Sequence, residues 1–266
     1  MKTILTFFSL FFGSPLLLVA QNYPEMIEVK EGSFFMGNDD EEALPSEKPG
    51  HIVVMSGFKI SKTEITVAQY RLFCNNTARK MPIEPSWGWK DEFPMVNVTW
   101  HDAMAYTNWL SQKMKVKYIL PTEAQWEFAA RGAEQSYNWK YSGSNNADSV
   151  AWFRDNSDEK PHQVGLKMPN ELGLFDMSGN VAEWCLDWYD SGNYFGRATK
   201  HGLATTGEYI MNPQETSPSE YRVVRGGSWD YGKFFARVTA RHSKKPEEAD
   251  ESTGFRVVIL LDKKSN

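Results

Sequence analysis

Cysteine is nearly absent from this 266-residue chain, with only Cys74 and Cys185 present. Their spacing leaves one disulfide and two buried free thiols equally open, and no C-x-x-C or Cys/His cluster accompanies them. Histidine is also sparse. His51, His101, His162, His201 and His242 stand singly, which excludes a zinc motif of the H-E-x-x-H type. Positive charge is not in excess either: 29 Lys and Arg face 34 Asp and Glu for a formal charge of -5, so there is no electrostatic case for nucleic acid. Beyond the first twenty residues no apolar run is long enough to span a bilayer, and neither an internal repeat nor a linker is visible.

What is present is hydrophobic and aromatic. Hydrophobic residues make up 41% and aromatics 14%, with ten Trp, a composition that excludes disorder and requires many rigid rings to be packed or displayed. Residues 1–20 combine Lys2, an apolar run and Ala20, as a cleavable secretory signal does; Gly13-Ser-Pro15 interrupts the run and weakens the alternative of an uncleaved anchor. No cysteine follows to take a lipid. The expectation is an exported protein, periplasmic, envelope-associated or secreted, with residues 21–266 as a single domain and no transmembrane segment after cleavage.

Residues Met26 to Asn38 alternate around a Glu31-Gly-Ser33 turn and read as a hairpin, followed by a strand from His51 to Ile60. Three helix starts follow at Thr66, Thr99 and Thr122, each with Gln or Asp three residues on, the capping-box arrangement. In the second helix Ala103, Tyr106 and Leu110 form the buried stripe, leaving Asn108, Gln112 and Lys113 to water. Arg131-Gly132 stops the third helix. Tyr137 to Ser217 is irregular and coil-rich, so packing, ion pairs or metal must pin it. Strands return at Arg222 to Arg225, Phe234 to Thr239 and Gly254 to Leu261. The pattern is α+β.

Two segments carry chemistry. Between Asn170 and Trp184, Asp176 and Glu183 flank a Gly179-Asn180 turn; these are hard oxygen ligands of the kind calcium takes, and the plainer alternative has Asp176 capping the turn while Glu183 pairs with a buried arginine. Glu123, Glu127 and Glu183 lie in apolar settings, and Arg222, Arg225, Arg237, Arg241 and Arg256 punctuate the C-terminal strands, so structural ion pairs are expected. The second segment, Arg225 to Arg241, opens on a glycine pair and interleaves aromatics with arginines. Its Ser228 lacks the closing glycine of a nucleophile elbow. Trp87-Gly-Trp89, in a Pro-flanked loop, is either core or a displayed edge.

Several strings together resemble one family: Glu31-Gly-Ser-Phe-Phe-Met-Gly37, Lys62-Thr-Glu-Ile-Thr66, Pro94-Met-Val-Asn-Val-Thr-Trp100, Leu120 to Gly132, Gly173 to Trp184, Arg225-Gly-Gly-Ser-Trp229 and Gly254-Phe-Arg-Val257. The chain is similar to the formylglycine-generating enzymes, or sulfatase-modifying factors, over nearly all of its mature length. That resemblance implies a loop-rich fold related to C-type lectins, with short strands and a few helices. The family's oxidases hold copper with two cysteines, which would fall here at Tyr231 and Ala236; a phenol and a methyl group cannot replace Cu(I) thiolates, so no copper and no oxidase activity are expected. The resemblance also implies structural Ca²⁺ on Asp176, the backbone of Gly179 and Val181, and Glu183. The expected function is then binding or scaffolding of a protein or envelope-component partner, with no catalytic residue assigned. Its binding cleft would comprise Ser228, Trp229, Asp230, Tyr231, Lys233 and Phe234. The alternatives are an enzyme of different chemistry built on Ser228 and a neighbouring arginine, and a lectin-like display protein using Trp229 to Phe235.

Overall fold

The three helices begin where a threonine hydroxyl can take up the first free N–H. The computed structural model describes residues 23–194, 196 and 209–261, so the expected signal at 1–20 lies outside the described residues. Thr66 caps α1 (Val67–Thr77), Thr99 caps α2 (Trp100–Met114) and Thr122 caps α3 (Glu123–Ala130). Each hydroxyl accepts from the N–H three residues on, and the Gln69, Asp102 or Gln125 side chain reaches back to the cap N–H. The stripe of Ala103, Tyr106 and Leu110 is buried, while Asn108, Gln112 and Lys113 face water. Gly132 ends α3 in the left-handed region at φ 88°.

Helix α3 differs from the others because all eight of its residues are buried. A helix sunk on every face and carrying Glu123 and Glu127 must pair both charges internally. A short fourth helix, α4 (Ala147–Val150), lies in the irregular region.

Eleven short strands among the described residues form three sheets. In the first, β1 (Met26–Val29), β4 (Phe58–Ser61), β11 (Val258–Leu260) and β5 (Tyr118–Ile119) lie in that order, all antiparallel. The second runs β10 (Thr253–Gly254), β6 (Ala182–Trp188), β8 (Arg222–Arg225), β9 (Arg241–Lys244), and the third β2 (Gly32–Met36), β3 (His51–Met55), β7 (Ile210–Met211).

Five expectations are corrected, the first being the strand from Gly254 to Leu261, which divides into β10 and β11 in different sheets. Met26 to Asn38 is not a hairpin: β1 pairs with β4 and β2 with β3, in different sheets. Alternation identifies a strand but not its partner. The strand expected from His51 to Ile60 divides into β3 and β4 for the same reason. The coil-rich stretch holds β6, a central strand whose alternate residues Glu183, Cys185 and Asp187 are all buried, so the polar-out signal of an exposed face is missing. Phe234 to Thr239 is no strand; Lys233–Ala236 is a 3₁₀ turn, and β9, further on, pairs with β8. At Gly227, φ is 69° and a Cβ would lie 2.7 Å from the Phe235 carbonyl oxygen, so the chain folds back over the glycine before it can pair.

Two cores result. One gathers Phe34, Met36, Trp126, Phe128 and Met177 around α3; the other gathers Tyr70, Phe73, Tyr106, Trp184 and Phe255 against α1 and α2. Each fully buried Phe contributes about 1.5–3 kcal/mol. Cys185 sits in the first core and Cys74 in the second, both buried and free, which decides the disulfide question for two thiols.

Candidate functional site

The buried charges of α3 meet the arginines of the C-terminal strands. Glu123 takes Arg241 in a two-point grip at 2.6 and 2.8 Å, with Arg225 at 3.5 Å. Glu127 accepts from Arg225 at 2.5 Å, from Arg131 at 2.9 Å and from the Gly37 N–H at 2.9 Å. Burial pushes the Glu127 carboxyl up, but Arg131, Arg225 and these hydrogen bonds more than offset it and hold it below the ordinary glutamate value. Glu47, a residue with no role in the sequence reading, receives Arg237 at 2.7 and 2.9 Å and Thr239 at 2.6 Å. Arg222 is the exception: its guanidinium lies 3.8 Å from the centre of the Trp100 ring and 3.4 Å from that of Trp188.

The expected metal residues separate into two environments. Glu183 is committed to a structural pair, gripped by Arg256 at 2.6 and 2.7 Å while Trp126 Nε1 donates at 2.7 Å. Asp176 lies in the left-handed region at φ 57° and is buried; its Oδ2 accepts from the Gly165 N–H at 2.7 Å, whereas its Oδ1 has no hydrogen-bond partner. Gly179 sits where a Cβ would lie 2.1 Å from the Trp152 carbonyl oxygen, so only glycine allows this approach. Val181 is buried just before β6. An orphaned buried carboxylate oxygen is a feature a cation would satisfy. Among the described residues no three His, Cys, Asp or Glu side chains group to hold a metal, so any remaining ligands must be other oxygens.

The expected cleft residues follow β8 and its glycine turn. Ser228 is buried and its Oγ donates to Asp230 at 2.5 Å. Trp229 is tied down by its indole N–H to the Glu251 carbonyl at 2.8 Å, and meets Trp87 edge-on at 5.6 Å between ring centres; both rings are partly exposed. Tyr231 packs against Phe235 and His242, and burial pushes its phenol up. Lys233 is exposed, and Phe234 lies under the Arg237 guanidinium at 3.9 Å. Ala236 is buried elsewhere, with Tyr141, Ala147, Val150, Ala151 and Phe153. A cleft of about 460 Å³ lined by Phe35, Asp39, Glu42, Trp139, Lys140 and Arg237 includes none of the six expected cleft residues.

The sequence gives no sign that Trp87 and Trp229 are partners. His242 is also unforeseen: burial first, then Arg225 and Lys244, push its imidazole down to about 4, so it is neutral and contacts rings rather than Ser228. Glu64, buried and accepting from Asn180 Nδ2 at 3.0 Å, is also unforeseen, its one earlier sign being its place in the Lys62 to Thr66 motif.

With this geometry in view, residues 17–261 match the family model described as the sulfatase-modifying factor enzyme 1-like domain, and the chain belongs to that family. It is 31% identical over 227 residues to the chaperone protein LppX of Paenibacillus barcinonensis, covering 66% of this chain and 71% of that one. It is 27% identical to the formylglycine-generating enzyme of Streptomyces coelicolor, covering 86% of this chain and 87% of that protein. Against the serine/threonine-protein kinase pkn1 of Chlamydia caviae, at 28% identity, it spans only 38% of that protein's length. The solved structure of PvdO from Pseudomonas aeruginosa superposes with a TM-score of 0.74 at 26% identity, covering 90% of this chain and 95% of that one. Treponema denticola variable protein 1 superposes at 0.71, also at 26% identity, covering 88% and 94%. The α+β, loop-rich formylglycine-generating-enzyme fold is thereby established. Among the described residues no helix is long and apolar enough to cross a membrane.

Proposed function

We propose that this chain is an exported member of the family that lacks formylglycine-generating oxidase activity and works by binding a protein partner at the cell envelope. The observation that carries the reading is the pair Tyr231 and Ala236. Tyr231 is packed on His242 and Phe235 with its proton held tightly, and Ala236 fills a separate apolar cluster, so neither side chain offers Cu(I) a soft ligand. The Ser228 hydroxyl donates its hydrogen bond to Asp230 and lacks an imidazole contact among the described residues, which removes support from the alternative nucleophile. The Trp87–Trp229 edge, flanked in sequence by Asp230, is a rigid aromatic feature of the kind that anchors protein interfaces. The likeness to a protein named a chaperone supports a protein partner.

Two measurements test this. Purified protein supplied with Cu(I) and O₂ should leave a Cys-x-Pro-x-Arg peptide unoxidised; conversion of the thiol to an aldehyde, read by mass, overturns the reading. A partner cross-linked to the wild-type protein in the producing cell's envelope should be lost from Trp229→Ala while the melting temperature changes little. Retained cross-linking in Trp229→Ala and Trp87→Ala moves the partner surface elsewhere.

A further inference from the structure

The geometry points to the cleft of about 460 Å³ at the end of β2 as a binding site for a short neutral saccharide. Its volume falls within the range of about 300–1,000 Å³ usual for small-molecule pockets. Neither Trp87 nor Trp229 lines it, so the site stands apart from the partner-binding edge and does not depend on that reading.

Two segments furnish the cleft with rings whose positions are fixed. Phe35 is 44% exposed, and a Cβ at Gly50 would lie 2.1 Å from its ring, so the ring rests on bare backbone. The same Gly50 donates its N–H to Asp39 Oδ1 at 2.9 Å, and one glycine therefore positions both a ring and a carboxylate. On the other segment Trp139 packs against Tyr137, with ring centres 5.8 Å apart, and Tyr137 is 71% exposed. Asn145 Oδ1 accepts from the Lys140 N–H at 2.9 Å, while the Lys140 carbonyl takes the Val238 N–H at 3.1 Å and anchors the segment.

The polar groups of the lining are each half used. Asp39 is held through Oδ1, Glu42 through Oε2 by Lys140 at 2.6 Å, Asn145 through Oδ1, and Arg131 through Nε and Nη2 by Glu127 and the Gly37 carbonyl. Asp39 Oδ2, Glu42 Oε1, Asn145 Nδ2 and Arg131 Nη1 make no hydrogen bond among the described residues. Two are acceptors and two are donors. A hydroxyl both donates and accepts, so a polyol can serve all four from one scaffold while its C–H faces cover Phe35 and Trp139. Charge narrows the class. Arg131, Arg237 and Lys140 are neutralised by Glu127, Glu47 and Glu42, whereas Asp39 and Asp40 have no ion pair among the described residues, so no cation is left over for a phosphate, sulfate or uronate. A cationic ligand would leave the amide and guanidinium donors unmatched.

The mature protein is screened on immobilised neutral gluco-, manno- and galacto-oligosaccharides beside sulfated ones, and the best neutral ligand is titrated by tryptophan fluorescence and calorimetry. Neutral sugars should bind and sulfated ones should not. Asp39→Asn keeps an acceptor for Gly50 and changes only the free oxygen; it should weaken binding roughly tenfold or more, as should Trp139→Ala, with melting temperatures close to wild type. Trp87→Ala should bind the sugar as wild type does, which separates failure here from failure of the partner reading. Absence of binding to every neutral sugar overturns the assignment, as does wild-type affinity in either Asp39→Asn or Trp139→Ala. Preference for a sulfated sugar or for an arginine-rich peptide overturns it as well.

Discussion

Glu127 carries more of this protein's stability than its single charge suggests. It sits fully buried between Arg131 and Arg225, and also accepts from the Gly37 backbone, so loss of its charge takes the carboxylate from Arg131 and leaves Arg225 with Glu123 at 3.5 Å. Breaking one side of a buried pair costs about 3–5 kcal/mol. Glu127→Gln should therefore lower the unfolding free energy by about that amount in urea titration, and a change below about 1 kcal/mol would show that Arg131 and Arg225 relax to other acceptors. That Glu123, Glu127 and Glu183 would be paired was legible, because buried charge demands a partner. Arg131, four residues from Glu127, is a local partner, but Arg241, Arg225 and Arg256 lie 118, 98 and 73 residues from Glu123, Glu127 and Glu183, so no local pattern could match those pairs. Glu64 was hidden for a related reason: its partner Asn180 lies 116 residues away.

The helices and strands differ in how local their determinants are. A capping box closes within four residues, so all three threonine caps could be read directly and all three form. Thr122 is the most exacting, since the helix it starts is buried throughout and water cannot replace the lost acceptor. Thr122→Ala should cost about 1–2 kcal/mol, the upper part of the range for a cap, and Thr66→Ala no more than that. Equal midpoints for Thr122→Ala and wild type in chemical denaturation would show that Asp187, which accepts from the Glu123 N–H at 2.8 Å, already secures the helix start. Strand partners are chosen at long range instead. The β1–β4 pair joins distant segments, which is why the apparent hairpin was misread.

For the molecule as a whole, the response to acid reports how the interior is wired. His242 is neutral in the fold because burial, then Arg225 and Lys244, lower its value to about 4 from an ordinary value near 6.5. A base whose folded value is depressed is protonated first in the unfolded chain. It therefore contributes fully above about 6.5, and that contribution falls as pH drops from about 6.5 to 4. Melting temperatures across that window, at fixed calcium, should fall more steeply for wild type than for His242→Phe. Parallel profiles would mean that His242 ionises without disturbing Tyr231 and Phe235.

At this scale the sequence alone settled the family, the α+β class and the helix starts. These depend on residue identity and on chemistry acting within a few positions. The tertiary structure decided which carboxylate meets which arginine, that Cys74 and Cys185 stay apart, that Trp87 joins Trp229, and that Glu64 meets Asn180. Each of these is a contact between segments remote in the chain, and a contact of that kind exists only after the sheets have brought the segments together.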